Sequence, residues 1–473
     1  MTLLGHSYID GQWIESGGER RFDITNPTNA EVIGTLVSSS LSDVDRAVTA
    51  AQRAFLGWAS VTPGERANYL QRVFDALTEQ SEAIAQSITT EVGSTISLSR
   101  GVQAGAAISK FDYYADYLRH FEFEEHFGDT PVLREPIGVV ACVTPWNFPL
   151  LQIAAKVAPA LAAGCCVVLK PSEIAPTNAL LLAQCVEAAD LPKGVFNMVW
   201  GEGSDIGEHL VGHPGVDMVS FTGSTAAGRR IAAVAGQTIK RTAMELGGKS
   251  AAILLDDADF NVAIAGVLDT CFVNSGQSCT AHSRLIVPKS REQEAVRVAR
   301  ELAEQWTPGD PFDSTTKMGP LISHDHWSKV QGFITDAQAL PHTQLVTGGA
   351  GKPEGLDAGY FVRPTVFAGV HPDDAIARDE IFGPVLSIFS VEDEDSAVQL
   401  ANDTVYGLSG GVWSADQNRA LKVARQMRTG TVEVNGGAFN GAAPFGGYKQ
   451  SGLGREMGPH GFAEFLELKT LQI

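Results

Sequence analysis

A chain of 473 residues is too long for a single hydrophobic core, so two or three domains are expected. Its formal net charge of −20 argues against nucleic acid or an anionic membrane as partner, and its 44% hydrophobic content is ordinary for a globular protein in water. No apolar run reaches the ~20 residues of a membrane helix, and residues 1–6 lack a basic segment followed by an apolar core, so a cytoplasmic protein is expected.

In chain order, Tyr8-Ile9-Asp10-Gly11-Gln12-Trp13 reads as a β-hairpin turning on Asp-Gly. Two helices follow. The first is expected to be capped near Ser42, with Val44, Val48, Ala51 and Phe55 on one face. The second opens with Thr62-Pro63-Gly64-Glu65, a capping box with proline at the first helical position. Acidic residues Glu122, Glu124, Glu125 and Asp129 interrupt the apolar pattern, which reads as an excursion out of the domain. Short β-rich runs at 139–143, 165–169, 196–199, 218–221 and 242–246 then alternate with helical stretches. One of these carries Leu150, Ile153, Ala154, Val157 and Leu161 and ends at Gly164. Such alternation predicts a parallel sheet covered by helices on both faces, a nucleotide-binding architecture. A second series follows: strands at 251–255, 284–287 and 382–389, with helices from about 262, around 293–304 and at 414–428. Residues 436–461 are glycine-rich and loop-dominated, and 465–471 alternate like a terminal edge strand.

Six cysteines form neither a disulfide framework nor a zinc pattern, and five of them lie in apolar runs as packing residues. The sixth, Cys279, ends Phe272-Val273-Asn274-Ser275-Gly276-Gln277-Ser278, where an apolar helix gives way to a turn that reads as exposed. A thiol beside backbone N–H groups is either placed to act as a nucleophile or is a spare buried cysteine, and the company of Asn147, Glu245 and Glu380 favours the nucleophile. Four further motifs sit at strand ends. Phe221-Thr222-Gly223-Ser224 opens a helix and is either a pyrophosphate site or a plain helix cap. Lys170-Pro171-Ser172-Glu173 is either a ribose holder or a charged loop. Asn147 in Thr144-Pro145-Trp146-Asn147-Phe148-Pro149 is either an oxyanion donor or a helix N-cap. Glu245 in Met244-Glu245-Leu246-Gly247-Gly248-Lys249 has the setting of a general base.

With Glu380-Ile381-Phe382-Gly383-Pro384 and Gly446-Gly447-Tyr448-Lys449-Gln450-Ser451-Gly452, these motifs make six in an order and approximate spacing that resembles the aldehyde dehydrogenase superfamily over nearly the whole chain. The resemblance implies an α/β fold with a Rossmann-like dinucleotide-binding domain (1–117 and 138–247), an α/β catalytic domain (248–457) and a small β oligomerisation arm (118–137 and 458–473). It implies a homodimer or homotetramer, with no metal. It gives Cys279 as nucleophile, Asn147 as oxyanion donor and Glu245 as the base that activates water. Lys156 and Glu456 match positions the family can use for proton relay. Lys170, Ser172 and Glu173 fall to the adenosine ribose, Ser224 to the pyrophosphate, and Glu380 and Phe382 to the nicotinamide half. Thr144, Trp146, Gly203, Gly207, Phe221, Gly223, Leu246 and Gly247 complete the NAD contacts, with NADP less favoured through Glu173. Phe148, Gln152, Phe439 and Phe445 match substrate-wall positions, with Ala155 beside them. No lysine or arginine stands among these, so an uncharged aromatic or medium-chain aldehyde is expected.

Three rivals differ in chemistry. An acylating enzyme would pass the thioester to coenzyme A, but Glu245 favours water. A cysteine hydrolase would need a histidine partner, and none of the eleven histidines lies in a matching motif. A non-catalytic binding protein on the same fold would be expected to have lost catalytic residues, and none is missing.

Overall fold

The computed structural model describes residues 4–473. Five parallel strands form the centre of its first sheet, in the order Arg241–Glu245, Met218–Thr222, Val139–Val143, Cys166–Lys170, Phe196–Met198. Every residue of Val139–Val143, Cys166–Lys170 and Met218–Thr222 is buried, as a sheet covered on both faces requires. The helix Pro149–Ala163 covers part of it and stops at Gly164, whose φ of 99° suits glycine. The chain starts at Val139–Val143 and winds outward first on one side and then on the other. Strand order therefore reverses between Val139–Val143 and Met218–Thr222, and the loops leaving their carboxyl ends diverge to open a crevice. The hairpin His6–Ile9 with Gln12–Glu15 extends this sheet, turning on Asp10 and Gly11 at φ 55° and 71°.

A second sheet of seven strands is parallel except at one edge, in the order Gln344–Thr347, Thr365–Ala368, Val385–Val391, Arg284–Pro288, Ala251–Leu254, Gly410–Trp413, Glu433–Val434. Apolar side chains on its two faces form cores separate from that of the first sheet. The excursion folds as Glu124–Phe127 and Thr130–Pro136, and Leu466–Thr470 pairs antiparallel with the latter as an edge strand. No helix among the described residues is long and apolar enough to cross a membrane.

Local chemistry moves several boundaries. The first helix, Leu41–Ala59, is capped by Ser40 rather than Ser42: the Ser40 hydroxyl accepts from Asp43 N–H while the Asp43 carboxylate accepts from Ser40 N–H at 2.8 Å. An antiparallel pair not foreseen from the sequence, Arg21–Asn26 with Glu31–Val37, precedes it. The strand expected at 382–389 starts only at Val385, because Phe382 is left-handed at φ 61° and Pro384 has no N–H to pair. The helix expected at 414–428 is shortened to Gln417–Ala424. Ser414 turns its hydroxyl to Asp257 at 2.8 Å, and the Asp416 side chain caps the helix.

Candidate active site

Because the central strands are parallel, Thr144–Asn147, Pro171–Glu173, Gly223–Ser224 and Glu245 all leave the sheet on one side, and the turn bearing Cys279 faces them from the second sheet. That turn is costly to form. Asn274, Ser275 and Gly276 are all left-handed at φ 52°, 59° and 75°, and the two non-glycine residues cost on the order of 1–2 kcal/mol each. Buried hydrogen bonds offset the strain. Asn274 Nδ2 donates to Asn147 O at 2.9 Å, Gln277 Nε2 to Asn274 O at 3.0 Å, and Ser275 Oγ to Gly319 O at 2.8 Å. Gln277 Oε1 accepts from Ile322 N–H at 2.9 Å. Ser94 donates to Asn274 Oδ1 and is itself held by Gln103 Nε2 at 2.7 Å. At Gly276 a Cβ would lie 2.2 Å from the Gly383 carbonyl carbon, so only glycine lets the Glu380–Pro384 segment pack here.

The same network aims Asn147. Its Nδ2 donates one hydrogen to Gln277 O at 3.0 Å, leaving a second for another acceptor. Asn147 does not cap the helix that follows; Phe148 occupies that position and makes no side-chain cap. Cys279 is only partly exposed, a correction to the exposed turn expected from the sequence: Leu408, Phe445 and Met457 pack around it. Burial pushes its thiol pKa up, and the carboxylates of Glu245 and Glu380 push the same way, while its own backbone N–H opposes them.

Glu245 is 2% exposed, and neither carboxylate oxygen has a hydrogen-bond partner among the described residues. Burial first, then the Glu456 carboxylate, raise its pKa well above the ordinary value; Lys156 and Arg455 pull it down. Lys156 is fully buried, donates to Thr222 Oγ1 at 2.5 Å and is ion-paired with Glu456. Glu456 is tied in turn to the Phe445 backbone, with N–H···O distances of 2.8 and 2.7 Å in the two directions.

On the far side of the crevice, Lys170 Nζ sits 3.2 Å from Glu173 Oε2 and donates to Gly201 O at 2.6 Å. The Ser172 hydroxyl accepts from Ile174 N–H at 3.3 Å. Ser224 caps the helix Thr225–Gly236, accepting from Ala227 N–H at 3.2 Å. Beside that helix lies a cleft of about 200 Å³, lined by Val143, Gly203, Gly207, Phe221, Ala227 and Ile231 among others. Leu246 packs so closely on Gly228 that a Cβ there would come within 2.4 Å. Glu380 Oε1 accepts from Gly248 N–H at 3.0 Å, and Gly247 has room for no side chain beside it. Trp146 and Phe382 meet edge to face at 5.6 Å, Thr144 is buried, and Gly223 approaches the Phe221 ring. On the remaining side, Phe439 and Phe445 pair edge to face at 6.1 Å. Phe148 is partly buried next to Asn147, and Gln152 one turn on has its Oε1 buried without a partner.

The family model described as "Aldehyde dehydrogenase family" matches residues 13–471. The chain belongs to the aldehyde dehydrogenase family. A 3-succinoylsemialdehyde-pyridine dehydrogenase from Pseudomonas sp is 49% identical over 465 residues, 98% of this chain and 97% of that protein. Among solved structures, a variant of aldehyde dehydrogenase C from Pseudomonas syringae, in complex with NAD+ and octanal, superposes with a TM-score of 0.98 at 45% identity, covering 99% of this chain and 97% of that one. Betaine aldehyde dehydrogenase from Staphylococcus aureus, in complex with NAD+, gives 0.96 at 38% identity, with 99% and 94% covered.

Three residues of this aldehyde dehydrogenase escape a reading of motifs. His326 Nε2 donates to Phe382 O at 2.7 Å and the ring lies 5.7 Å from that of Trp146; burial lowers its pKa to about 4, so the ring stays neutral. It holds the left-handed Phe382, yet in sequence it is one of two histidines in an unremarkable helix start. Arg455 lies close enough to Glu245 to lower its pKa. Lys110 donates to Gly441 O at 3.0 Å, reaching from a helix 331 residues away in sequence to the segment that bears Phe439.

Proposed function

We propose that this enzyme oxidises an uncharged aromatic or medium-chain aldehyde to the carboxylic acid, with NAD as cofactor and a covalent intermediate on Cys279. The observation that carries the reading is Glu245: a buried carboxyl, raised in pKa and with both oxygens unpartnered, whose charge is felt at the Cys279 thiol. A group so poised suits a general base for water rather than a structural ion pair.

The groups present suit a dinucleotide. The cleft beside Gly203, Gly207 and Phe221 is shaped for an apolar ring, the N-terminus capped by Ser224 for pyrophosphate, Lys170 and Glu173 for a ribose, and Glu380 with Phe382 for the nicotinamide half. When bound, NAD supplies the hydride acceptor. The Cys279 thiolate attacks the aldehyde carbon, and the oxygen that gains charge takes hydrogen bonds from the free Asn147 amide hydrogen and the Cys279 N–H. Each such donor is worth roughly 3–4 kcal/mol. After oxidation to the thioester, Glu245 takes a proton from water as it adds to the carbonyl. Lys156, Glu456 and Thr222 form a buried polar chain to which that proton can pass.

The substrate class rests on the aromatic wall of Phe445 and Phe439 and on relatives named for a pyridine-bearing semialdehyde and bound to octanal. The two sheets and the three-stranded arm support the division into cofactor-binding domain, catalytic domain and arm given above, although Gly452–Leu453, within the catalytic range, pairs in the first sheet. Leu466–Thr470 is an edge strand whose outer side has no neighbouring strand among the described residues, with Leu468 70% exposed, which supports burial against a second subunit in a dimer or tetramer. Initial rates over aliphatic, aromatic, amino- and carboxy-aldehydes, with NAD and NADP side by side, test the assignment. Succinic semialdehyde as the best substrate would refute it.

A further inference from the structure

Lys110 lies on the helix Gly105–Leu118, on the face that also buries Ala107, Phe111 and Tyr114, and is only 6% exposed. A lysine amine in such a place needs a partner, and it has one in the carbonyl of Gly441 at 3.0 Å. Gly441 belongs to the segment that bears Phe439. Residues 435–440 are all exposed; Asn435 is anchored by Val412 O and Ser414 N–H, and beyond it the segment's other hydrogen bonds are local turns. Among the described residues, the Lys110 bond is the one hydrogen bond by which a distant part of the chain holds 436–443. The fit is close, since a Cβ on Gly441 would lie 3.0 Å from the amine nitrogen. Phe439 is 61% exposed and rests on Phe445, which in turn packs against Cys279. Two rings thus line the approach to the thiol, the inner one buried and the outer one standing on a segment that Lys110 tethers.

We propose that Lys110 is a positioning residue for specificity: its amine fixes 436–443 so that Phe439 contacts the distal part of a long or aromatic aldehyde. The proposal rests on the substrate reading above. A short aldehyde reaches Cys279 past Phe445 alone and gains nothing from the tether. A long one buries its tail against Phe439 and loses that contact when the segment loosens. The reacting atoms do not touch Lys110, so the effect belongs in KM rather than kcat.

The test is kcat and KM for propanal, hexanal, octanal, benzaldehyde and succinic semialdehyde at saturating NAD, in wild type, Lys110→Met and Lys110→Arg. Methionine keeps the apolar stem and removes the donor; arginine keeps a donor. For Lys110→Met, KM for octanal should rise about tenfold (1.4 kcal/mol), KM for propanal should stay within about twofold, and kcat should hold for both. Lys110→Arg should recover most of the loss. Should Lys110→Met fail to fold, Gly441→Ala, whose Cβ crowds the amine, should give the same dependence on chain length. An equal KM rise for propanal and octanal, no change at all, or Lys110→Arg as impaired as Lys110→Met would overturn the proposal. So would a loss confined to a carboxylated semialdehyde, which would make the amine a substrate ligand instead. If wild type shows no preference for octanal over propanal, the substrate reading itself fails. A preference that survives intact in Lys110→Met sinks the tether alone.

Discussion

Replacing Glu173 with glutamine should narrow the preference for NAD over NADP. In the structure the Glu173 side chain is 23% exposed and its carboxylate sits 3.2 Å from Lys170 Nζ, whose other bonds to Gly201 O and Pro171 O fix the pair in place. If this carboxylate accepts the adenosine 2′-hydroxyl, the 2′-phosphate of NADP brings a second anion to the same point. Two unit charges about 4 Å apart at an effective dielectric near 20 repel by ~4 kcal/mol. Lys170 offsets part of that, because the phosphate also gains its attraction, and roughly 1.5–3 kcal/mol survives. This corresponds to a ten- to hundredfold preference for NAD at about 1.4 kcal/mol per decade. The assay is kcat/KM for each cofactor at one saturating aldehyde. Glu173→Gln should bring the two values to within severalfold, chiefly through a lower KM for NADP, with kcat little changed. Equal use of NADP by wild type, or a ratio untouched in Glu173→Gln, refutes the reasoning and leaves Glu173 as a partner of Lys170 only.

Cys279→Ala should abolish oxidation while NAD binding, followed by fluorescence quenching, stays near wild type; the other five cysteines are buried in the cores and offer no substitute. Asn147→Ala should lower kcat by about 10²–10³ through loss of one oxyanion donor. Thermal melts will also show whether Asn147→Ala loosens the Cys279 turn, to which its side-chain amide is bonded through Gln277 O. Lys249 has a fully buried amine with no hydrogen-bond partner among the described residues, and burial depresses its pKa from 10.5 to about 7. Its folded-state value lies below the unfolded one, so the stability it contributes is present above pH 10.5 and is lost as pH falls toward 7. Lys249→Met should therefore gain in Tm relative to wild type between pH 9 and pH 6.5. A difference that is flat over that range contradicts the burial argument.

The first sheet was legible in the sequence because its strands are buried on both faces and read as unbroken apolar runs between helices of clear period, as at Val139–Val143 and Met218–Thr222. The Thr62 capping box was legible for a similar reason, since it is closed by residues three positions apart. What escaped depends on contacts distant in sequence. Phe382 is held left-handed by His326, and the Gly383 and Pro384 backbone after it packs on Gly276; neither contact marks the local sequence, and so the strand was expected too early. The pair Arg21–Asn26 and Glu31–Val37 leaves most of its residues partly exposed and has little apolar alternation to detect. Cys279 looked exposed because Ser278, Thr280 and Gln277 are polar, whereas its cover comes from Leu408, Phe445 and Met457 far along the chain. Lys110 carried one faint signal, a lone cation on the apolar stripe between Ala107 and Tyr114, but nothing in the sequence points from it to Gly441.

The central claim is that Glu245 serves the second half of the reaction, the hydrolysis of a thioester on Cys279. Rapid mixing of Glu245→Gln with NAD and aldehyde, read by NADH absorbance and by intact-protein mass, tests it directly. The account predicts a burst of about one NADH per active site and an acyl group retained on the protein. It also predicts steady-state turnover reduced by about 10²–10⁴, the usual contribution of a general base. A burst that falls together with steady-state turnover, with no acyl adduct on the protein, would contradict it and make Glu245 the group that activates the thiol.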